Sequence, residues 1–313
     1  MKILAATDGS RTGDAAVRFA AGLAANCRAR LLVITVGSLS ASRFRRGARL
    51  ARGLPSGLEE AERLWAGKIL QGALREGKRL GAAVRCAYAG TGRLEPIAET
   101  ITRRADREGA DVIVVGSGGG TQLSRWALGS IAHRLVHIAR RPVAVVRPGA
   151  GTKRHPARIL AATDGSKPAR EAVRFAARLA AAIPRGRLVV LTVSTLAADV
   201  ALTGAGLVGA LGVLPELDRA ERKAAERILG EAARQTRTLS RRVQLVSRKP
   251  RRATSAAEAI VREAALQGAD LIVIGNAGRS AFNDMMLGSV AQRVLGHSRR
   301  PVALVPARSS RKP

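Results

Sequence analysis

The sequence is an internal duplication, and this feature constrains the fold more than any other. The segment ILAATDGS occupies residues 3–10 and returns at residues 159–166. AVRFAAGLAA at residues 16–25 returns at residues 172–181 with one change in ten positions. Nearly the same offset relates GADVIVVG to GADLIVIG, LGSIAHRLV to LGSVAQRVL, and RRPVAVV to RRPVALV. The chain therefore contains two copies of one domain, each of about 150 residues.

The repeat also predicts the domain limits. We predict a first domain at residues 1–148, a linker at residues 149–157, a second domain at residues 158–307 and a C-terminal tail at residues 308–313. The linker lies in the polar segment RPGAGTKRHPA, whose prolines and glycines are typical of a connection between domains.

Within each half, apolar runs alternate with segments of helical periodicity. Residues 12–27 place Ala16, Ala20 and Leu23 on one helical face. The following run LLVITV (31–36) is apolar throughout, which is typical of a strand that is covered on both faces. The alternation of such strands and helices predicts a parallel, doubly wound α/β sheet in each half.

The charge of the chain favours certain partners. The formal net charge of +31 favours nucleic acid, an anionic membrane surface or an acidic partner. However, the basic residues are spread over both halves, and aromatic residues, which single-strand-binding proteins use for stacking, make up only 2%. Binding of nucleic acid or membrane is therefore not the favoured main function. Because no leader pattern follows Met1 and no strongly apolar run reaches about 18 residues, we expect a cytoplasmic protein.

Two strand ends in each half carry loop residues instead of core residues. TDGS follows the first strand, and a glycine-rich segment follows the fourth. In doubly wound sheets, ligands bind outside the carboxyl ends of the strands, where the strand order reverses. If these two strands are neighbours, Asp8 faces the same crevice as the first glycine segment, and Asp164 faces the second.

The glycine segments of both halves share the spacing G-x2-G-x9-G-S. Its residues are Gly116, Gly119, Gly129 and Ser130 in the first half and Gly275, Gly278, Gly288 and Ser289 in the second. The first two glycines would let backbone N–H groups approach an anion. The Gly-Ser pair would begin a helix whose free N–H groups and positive dipole end attract phosphate. The alternative is a strand-to-helix turn with a serine N-cap and no ligand.

These features resemble the universal stress protein family, and the chain resembles a tandem, two-domain member of the ATP-binding type. The TDGS strand end, GADVIVVGSGG, the glycine spacing and RRPVAVV carry the resemblance, which covers nearly the whole chain. The resemblance implies two tandem doubly wound parallel five-stranded sheets of order 3-2-1-4-5, adenine nucleotide alpha hydrolase-like and pseudo-twofold related. It also implies a nucleotide-dependent sensor or regulator of the stress response, with an unknown protein partner or a second copy of the chain.

The same resemblance implies an ATP site in each half. Asp8 and Asp164 would contact the nucleotide and are the candidate ligands of Mg²⁺ or Mn²⁺. Val36 and Val193, at the end of the second strand, would face adenine through their backbone. The spaced glycines and the serine that follows them would hold the ribose and the phosphates.

The halves differ inside the glycine loop, where Arg125 of the first corresponds to Asp284 of the second. An arginine can bind a phosphate through two hydrogen bonds, whereas an aspartate repels it unless a metal intervenes. We therefore expect tighter binding in the first half. The family's G-D-P-like turn before the third helix is replaced by LEPIAETI (94–101) and ATSAAEAI (253–260), which leaves that wall of the site undefined.

The residues do not predict a dedicated enzyme. GSGGGTQL lacks the lysine of a Walker loop, and no histidine stands at either strand end to act as a base. Two alternatives to an ATP-binding regulator remain. One is a slow ATPase, and the other is a basic scaffold that binds nucleic acid or anionic partners without ATP.

The halves differ most after the second strand. Residues 37–57 are basic, whereas residues 194–215 are apolar and rich in glycine. We expect both segments to be loops that contact a partner, cover the nucleotide, or serve neither purpose.

Overall fold

The computed structural model contains two compact units. The first consists mainly of residues 1–156 and the second mainly of residues 157–313. The described residues are 1–37, 55–90, 95–118, 128–149, 156–194, 207–240, 242–249, 254–278 and 287–307. In the helices that begin at residues 55 and 207, side chains are described from residues 62 and 215 onward.

The first unit alternates strands and helices. Its elements are β1 (Lys2–Ala6), α1 (Arg11–Cys27), β2 (Arg30–Gly37), α2 (Pro55–Arg79), β3 (Ala83–Gly90), α3 (Ile97–Glu108), β4 (Val112–Gly116), α4 (Ser130–Ile138) and β5 (Val143–Val146). All four strand pairs within the unit are parallel, in the order β3-β2-β1-β4-β5.

The second unit repeats this order of elements. They are β6 (Arg158–Ala162), α5 (Lys167–Ala182), β7 (Arg187–Val193), α6 (Leu207–Thr236), β8 (Val243–Arg248), α7 (Ala256–Leu266), β9 (Leu271–Gly275), α8 (Ser289–His297) and β10 (Val302–Val305). Its parallel strands have the equivalent order β8-β7-β6-β9-β10. The predicted doubly wound sheet of order 3-2-1-4-5 is confirmed.

Small side chains build the cores. Ala16, Ala20 and Ala24 of α1 have no exposed surface, so the backbone of this helix lies close to the sheet. The strands contribute branched side chains such as Ile113 and Val114 of β4, which are also fully buried. Alternation of alanine on helices with valine, leucine and isoleucine on strands gives a dense interior, to which α1 and α5 each add one buried aromatic side chain, Phe19 and Phe175.

The prediction of a loop over residues 194–215 is wrong for its second part. The backbone is helical from Leu207 and continues through Pro215 into α6. Proline lowers helix propensity, but the rest of this segment is rich in alanine and leucine, which favour a helix. The remainder of that segment, and residues 38–54 of the basic segment, lie outside the described residues.

The two cysteines, Cys27 and Cys86, are free and half-buried. Burial raises the pKa of the Cys27 thiol to about 12, so this thiol stays protonated and unreactive at neutral pH. Among the described residues, no helix combines the length and apolar character needed to cross a membrane.

Candidate functional site

The TDGS segments form the same turn in both units. The Oδ1 atom of Asp8 accepts a hydrogen bond from the Ser10 N–H at 3.0 Å, and Asp164 accepts one from Ser166 at 2.9 Å. The intervening glycine has a φ angle of +74° in the first unit and +80° in the second, a conformation that favours glycine. Each serine then caps the helix that follows. The turn therefore fixes each aspartate at the carboxyl end of the first strand.

The first glycine of the spacing is required for packing. A Cβ on Gly116 would lie 2.6 Å from the carbonyl carbon of Thr12, and one on Gly275 would lie 2.9 Å from the Ala169 nitrogen. Both positions face the start of the helix that crosses the sheet. This close packing gives a steric reason for the glycine, and its predicted role in the approach of an anion stays a prediction.

The ends of each glycine loop are held together. The N–H of Gly129 donates to the Ser117 carbonyl at 2.7 Å, and the N–H of Gly288 donates to the Asn276 carbonyl at 2.8 Å. A Cβ on Gly129 would lie 2.6 Å from the Gly118 Cα, so the two chain segments approach closely. The loop thus returns to the strand end before the next helix begins.

Helices α4 and α8 begin without a side-chain cap. Their N-cap residues are Gly129 and Gly288, and neither helix shows a side-chain hydrogen bond at its N-cap. Ser130 and Ser289 are the first helical residues. The alternative interpretation, in which the serine caps the turn, is therefore not what the geometry shows. The free backbone N–H groups of each helix start and its positive dipole end therefore lie beside the first part of the glycine segment, at Gly118 and Gly278.

In the second unit these elements surround one cavity of about 520 Å³. Its lining includes all six predicted residues of this half: Asp164, Val193, Gly275, Gly278, Gly288 and Ser289. The Oδ2 atom of Asp164 lies 3.4 Å from where a Cβ on Gly278 would stand, so the carboxylate and this glycine lie side by side in the cavity wall. The structure brings together residues that are up to 125 positions apart in the sequence.

In the first unit, five predicted residues lie at the equivalent places, and one of them is Gly129, the N-cap of α4. Asp8 follows β1, Val36 is the penultimate residue of β2, and Gly116 ends β4. Ser130 begins α4, and the Thr12 hydroxyl of α1 donates to the Gly118 carbonyl beside it. The second half has Pro168 in place of Thr12, so this tie is specific to the first half. Gly119 and Arg125 lie outside the described residues, as does Asp284.

The profile of the universal stress protein family matches residues 1–147 and again residues 156–306. The chain belongs to the universal stress protein family. The universal stress protein of Mycobacterium tuberculosis (strain ATCC 25618 / H37Rv) is 32% identical over 201 residues, which cover 62% of this chain and 61% of that protein. The match therefore spans less than two thirds of that relative's length.

Solved structures agree with this assignment of the fold. A universal stress protein from Archaeoglobus fulgidus DSM 4304 is 18% identical, with a TM-score of 0.62 and 98% of each chain covered. A putative universal stress protein from Pseudomonas aeruginosa UCBPP-PA14 is 17% identical, with a TM-score of 0.57 and coverage of 98% of this chain and 93% of that chain. Both likenesses extend over two tandem domains.

Sequence reasoning missed a buried glutamate beside this site of the universal stress protein. Glu221 of α6 lines the cavity and is 8% exposed, and Glu62 of α2 stands at the equivalent position with 4% exposure. A Cβ on Gly37, the last residue of β2, would lie 2.2 Å from the Glu62 Oε1 atom. The retained triplet Ala-Glu-Arg at residues 61–63 and 220–222 was the available signal.

The wall that the sequence left undefined is apolar. Ala256 and Ile260 of α7 line the cavity, together with Ile228 of α6, which also contacts the turn glycine Gly165. This side of the cavity therefore presents aliphatic side chains.

Metal ligands are sparse in the described part of this universal stress protein. No three histidine, cysteine, aspartate or glutamate side chains among the described residues group to hold a metal ion. Magnesium is often bound by one or two carboxylates together with substrate phosphates and water. Asp8 or Asp164 fits that role only when a nucleotide supplies the other oxygens.

Proposed function

We propose that the second half of this universal stress protein binds ATP in the 520 Å³ cavity, and that the nucleotide regulates its interactions. The observation that carries the proposal is the convergence of all six motif residues on that cavity. The volume lies in the range of small-molecule sites, which is about 300–1,000 Å³.

The phosphates would lie between the glycine loop and the start of α8. Because α8 has no side-chain cap, its first N–H groups can donate to phosphate oxygens, and its dipole favours negative charge there. The absence of a bulky side chain at Gly278 leaves room for that approach, since the Asp164 carboxylate is the one group among the described residues that lies near its Cβ position.

The adenine base would lie at the other end of the cavity. Val193 and Ser194 end β7 there, and Ile260 and Ile228 provide apolar surface. Glu221 borders the same end, where its carboxylate would accept a hydrogen bond from an amino group of the base.

The cavity lining favours retention of ATP over its rapid hydrolysis. The described lining of the cavity contains no lysine, arginine or histidine, so it offers no cationic side chain to stabilise a transferring phosphoryl group. A bound nucleotide that persists can bias the conformation of the loops around it, which is how a regulator would work.

Substitution Ser289→Glu tests the phosphate position. Acidic residues in the first turn stabilise a helix, so the fold should keep its melting temperature, whereas the new charge should repel phosphate. We expect ATP affinity in the second half to fall at least tenfold by isothermal titration. The matched variant Ser289→Ala removes only the hydroxyl and should lose much less. Equal affinity of Ser289→Glu and wild type would contradict the proposal.

A time course of ADP release separates a regulator from the slow ATPase. Bound ATP should remain intact over hours when the protein is denatured and its nucleotides are separated by chromatography. Release of ADP at a constant rate, lost in Ser289→Glu, would instead establish an ATPase at the same site.

A further inference from the structure

A row of arginines lies at the opposite end of the second unit, at the amino ends of its strands. Arg158 of β6 is the register partner of Arg187 of β7. Arg242 immediately precedes β8 and continues the row, since Leu188 pairs with Val243. Neighbouring strands lie about 4.8 Å apart, so three guanidinium side chains leave adjacent backbone positions.

These arginines line one groove of about 500 Å³. All three are exposed, and the other polar side chains of the lining are Gln244 and Gln267. The backbone beneath them is fixed, because Arg187 N–H donates to the Ala157 carbonyl and the Arg242 carbonyl accepts from Leu188, each at 2.9 Å. The groove is therefore a preformed, positively charged pocket.

One arginine has a structural role that both halves share. The Nη1 atom of Arg158 donates to the Gln267 carbonyl at the end of α7 at 3.4 Å. In the first half, Lys2 Nζ donates to the Glu108 carbonyl at 2.9 Å in the same way. This hydrogen bond pairs a carbonyl at the C-terminus of a helix. It gives a structural reason for the basic side chain at Arg158, but not for those at Arg187 and Arg242.

The first half neutralises its own edge, and the second half does not. Glu108 forms ion pairs with Arg85 at 3.0 Å and with Arg104 at 2.9 Å. The second half has Gln267 in place of Glu108, and it has Arg242 where the first half has Ala83. Each half has three basic side chains at this edge, since Arg85 of the first half stands where the second has Gln244, and the halves differ in charge through the carboxylate of Glu108.

The carboxylates of Asp270 and Glu263 accept hydrogen bonds from groups other than the three guanidinium groups of the groove. Asp270 Oδ2 accepts from the backbone N–H groups of Ala157 and Arg158 at 2.8 and 2.9 Å. Glu263 forms an ion pair with Arg248 through two hydrogen bonds. Among the described residues, no ion pair joins an arginine of the groove to an acid. Like charges side by side in a sheet are unfavourable, so an anion would stabilise this edge.

We propose that this groove binds a small anion carrying two or more phosphate groups. Arg187 and Arg242 each present a planar fork that matches a phosphate, and Gln244 adds a neutral donor. The Gln267 amide, which donates one N–H to Glu263 at 2.8 Å, has a second N–H for the anion. The described lining has no aromatic residue for base stacking, which favours a small phosphate compound over a nucleic-acid strand. The groove is separate from the proposed ATP cavity and does not depend on it.

Tripolyphosphate titration of the full chain tests the proposal. Because triphosphate could also enter the nucleotide cavities, the titration uses the Ser130→Glu/Ser289→Glu background beside wild type. Gln267→Glu restores the residue of the first half, and Arg242→Ala restores its alanine. We expect each change to weaken tripolyphosphate binding at least tenfold. Arg242→Ala should leave the melting temperature unchanged, because this side chain is exposed. Gln267→Glu should lower the melting temperature, because the Gln267 Nε2 atom donates to the buried Glu263 carboxylate at 2.8 Å. Glu108→Gln, the matched control in the first half, should cause no loss.

Three results would overturn the proposal. The first is an absence of tripolyphosphate binding at millimolar concentration in the background variant. The second is an affinity of Gln267→Glu within twofold of its parent. The third is tighter binding of single-stranded DNA than of tripolyphosphate with the same sensitivity to Arg242→Ala, which would make the groove a nucleic-acid contact. Failure of the ATP proposal would leave each of these results unaffected.

Discussion

At the scale of the residue, each glycine of the repeated spacing has its own physical reason. Gly116 and Gly275 let a helix backbone pack against the strand end, and Gly129 lets the loop return beside Gly118. Gly278 is different, because its Cβ position has only the Asp164 carboxylate at 3.4 Å, an ordinary contact distance. The spacing therefore combines folding requirements with one position that faces the proposed ligand.

Gly275→Ala and Gly278→Ala should separate these two requirements. A Cβ at residue 275 would overlap the α5 backbone, so the first variant should lose about 1–3 kcal/mol of unfolding free energy in urea. The second should stay within about 0.5 kcal/mol of wild type. In ATP titrations, Gly278→Ala should bind ATP more weakly than wild type, although its stability is nearly unchanged. A large loss of stability in Gly278→Ala would contradict this division.

At the scale of the element, one ion pair joins β8 to α7. Arg248 Nε and Nη2 donate to the two carboxylate oxygens of Glu263 at 2.8 and 3.0 Å, and the Glu263 side chain is 3% exposed. The hydrogen bond from Arg248 holds the Glu263 pKa below its usual range. Its contribution to stability is therefore present above the pKa of an unfolded glutamate, about 4.3, and is lost as pH falls further.

Arg248→Ala should leave Glu263 buried with only Gln267 as a donor. Because Arg248 is half exposed in the wild type, we expect a modest loss of about 1–2 kcal/mol at pH 7. The loss should shrink toward pH 4, where the carboxylate becomes neutral in the variant. Urea unfolding at both pH values measures it. Arg79→Ala, which breaks an exposed pair with Glu76, is the control and should cost much less stability because water screens that pair. A loss from Arg248→Ala that is the same at both pH values would contradict the assignment.

At the scale of the whole molecule, the duplication made the fold predictable. Apolar strand runs such as LLVITV and helical periodicity are local signals, so they predicted a helix over residues 12–27 and a strand over residues 31–36, each within one residue of the bounds of α1 and β2. The start of α6 at Leu207 was missed because glycine and Pro215 resemble loop composition. The fold fixes which strand ends meet, and this placed Asp164 beside Gly278 as the sequence predicted.

Other features depend on information that no local pattern contains. The row of Arg158, Arg187 and Arg242 exists only in the strand register, because the three residues are 29 and 55 positions apart in the sequence. Glu221 resembles any charged residue of an amphipathic helix until the fold turns it toward the end of β7. Such residues become visible only when the two halves are compared position by position within the structure.

The count of ATP molecules per chain tests the central claim most directly. Native mass spectrometry of wild type, Ser130→Glu, Ser289→Glu and the double variant would report that count at saturating ATP. The account predicts that Ser130→Glu still holds ATP through the second half, and that adding Ser289→Glu removes it. Retention of the same ATP count in the double variant would contradict a phosphate site at the starts of α4 and α8.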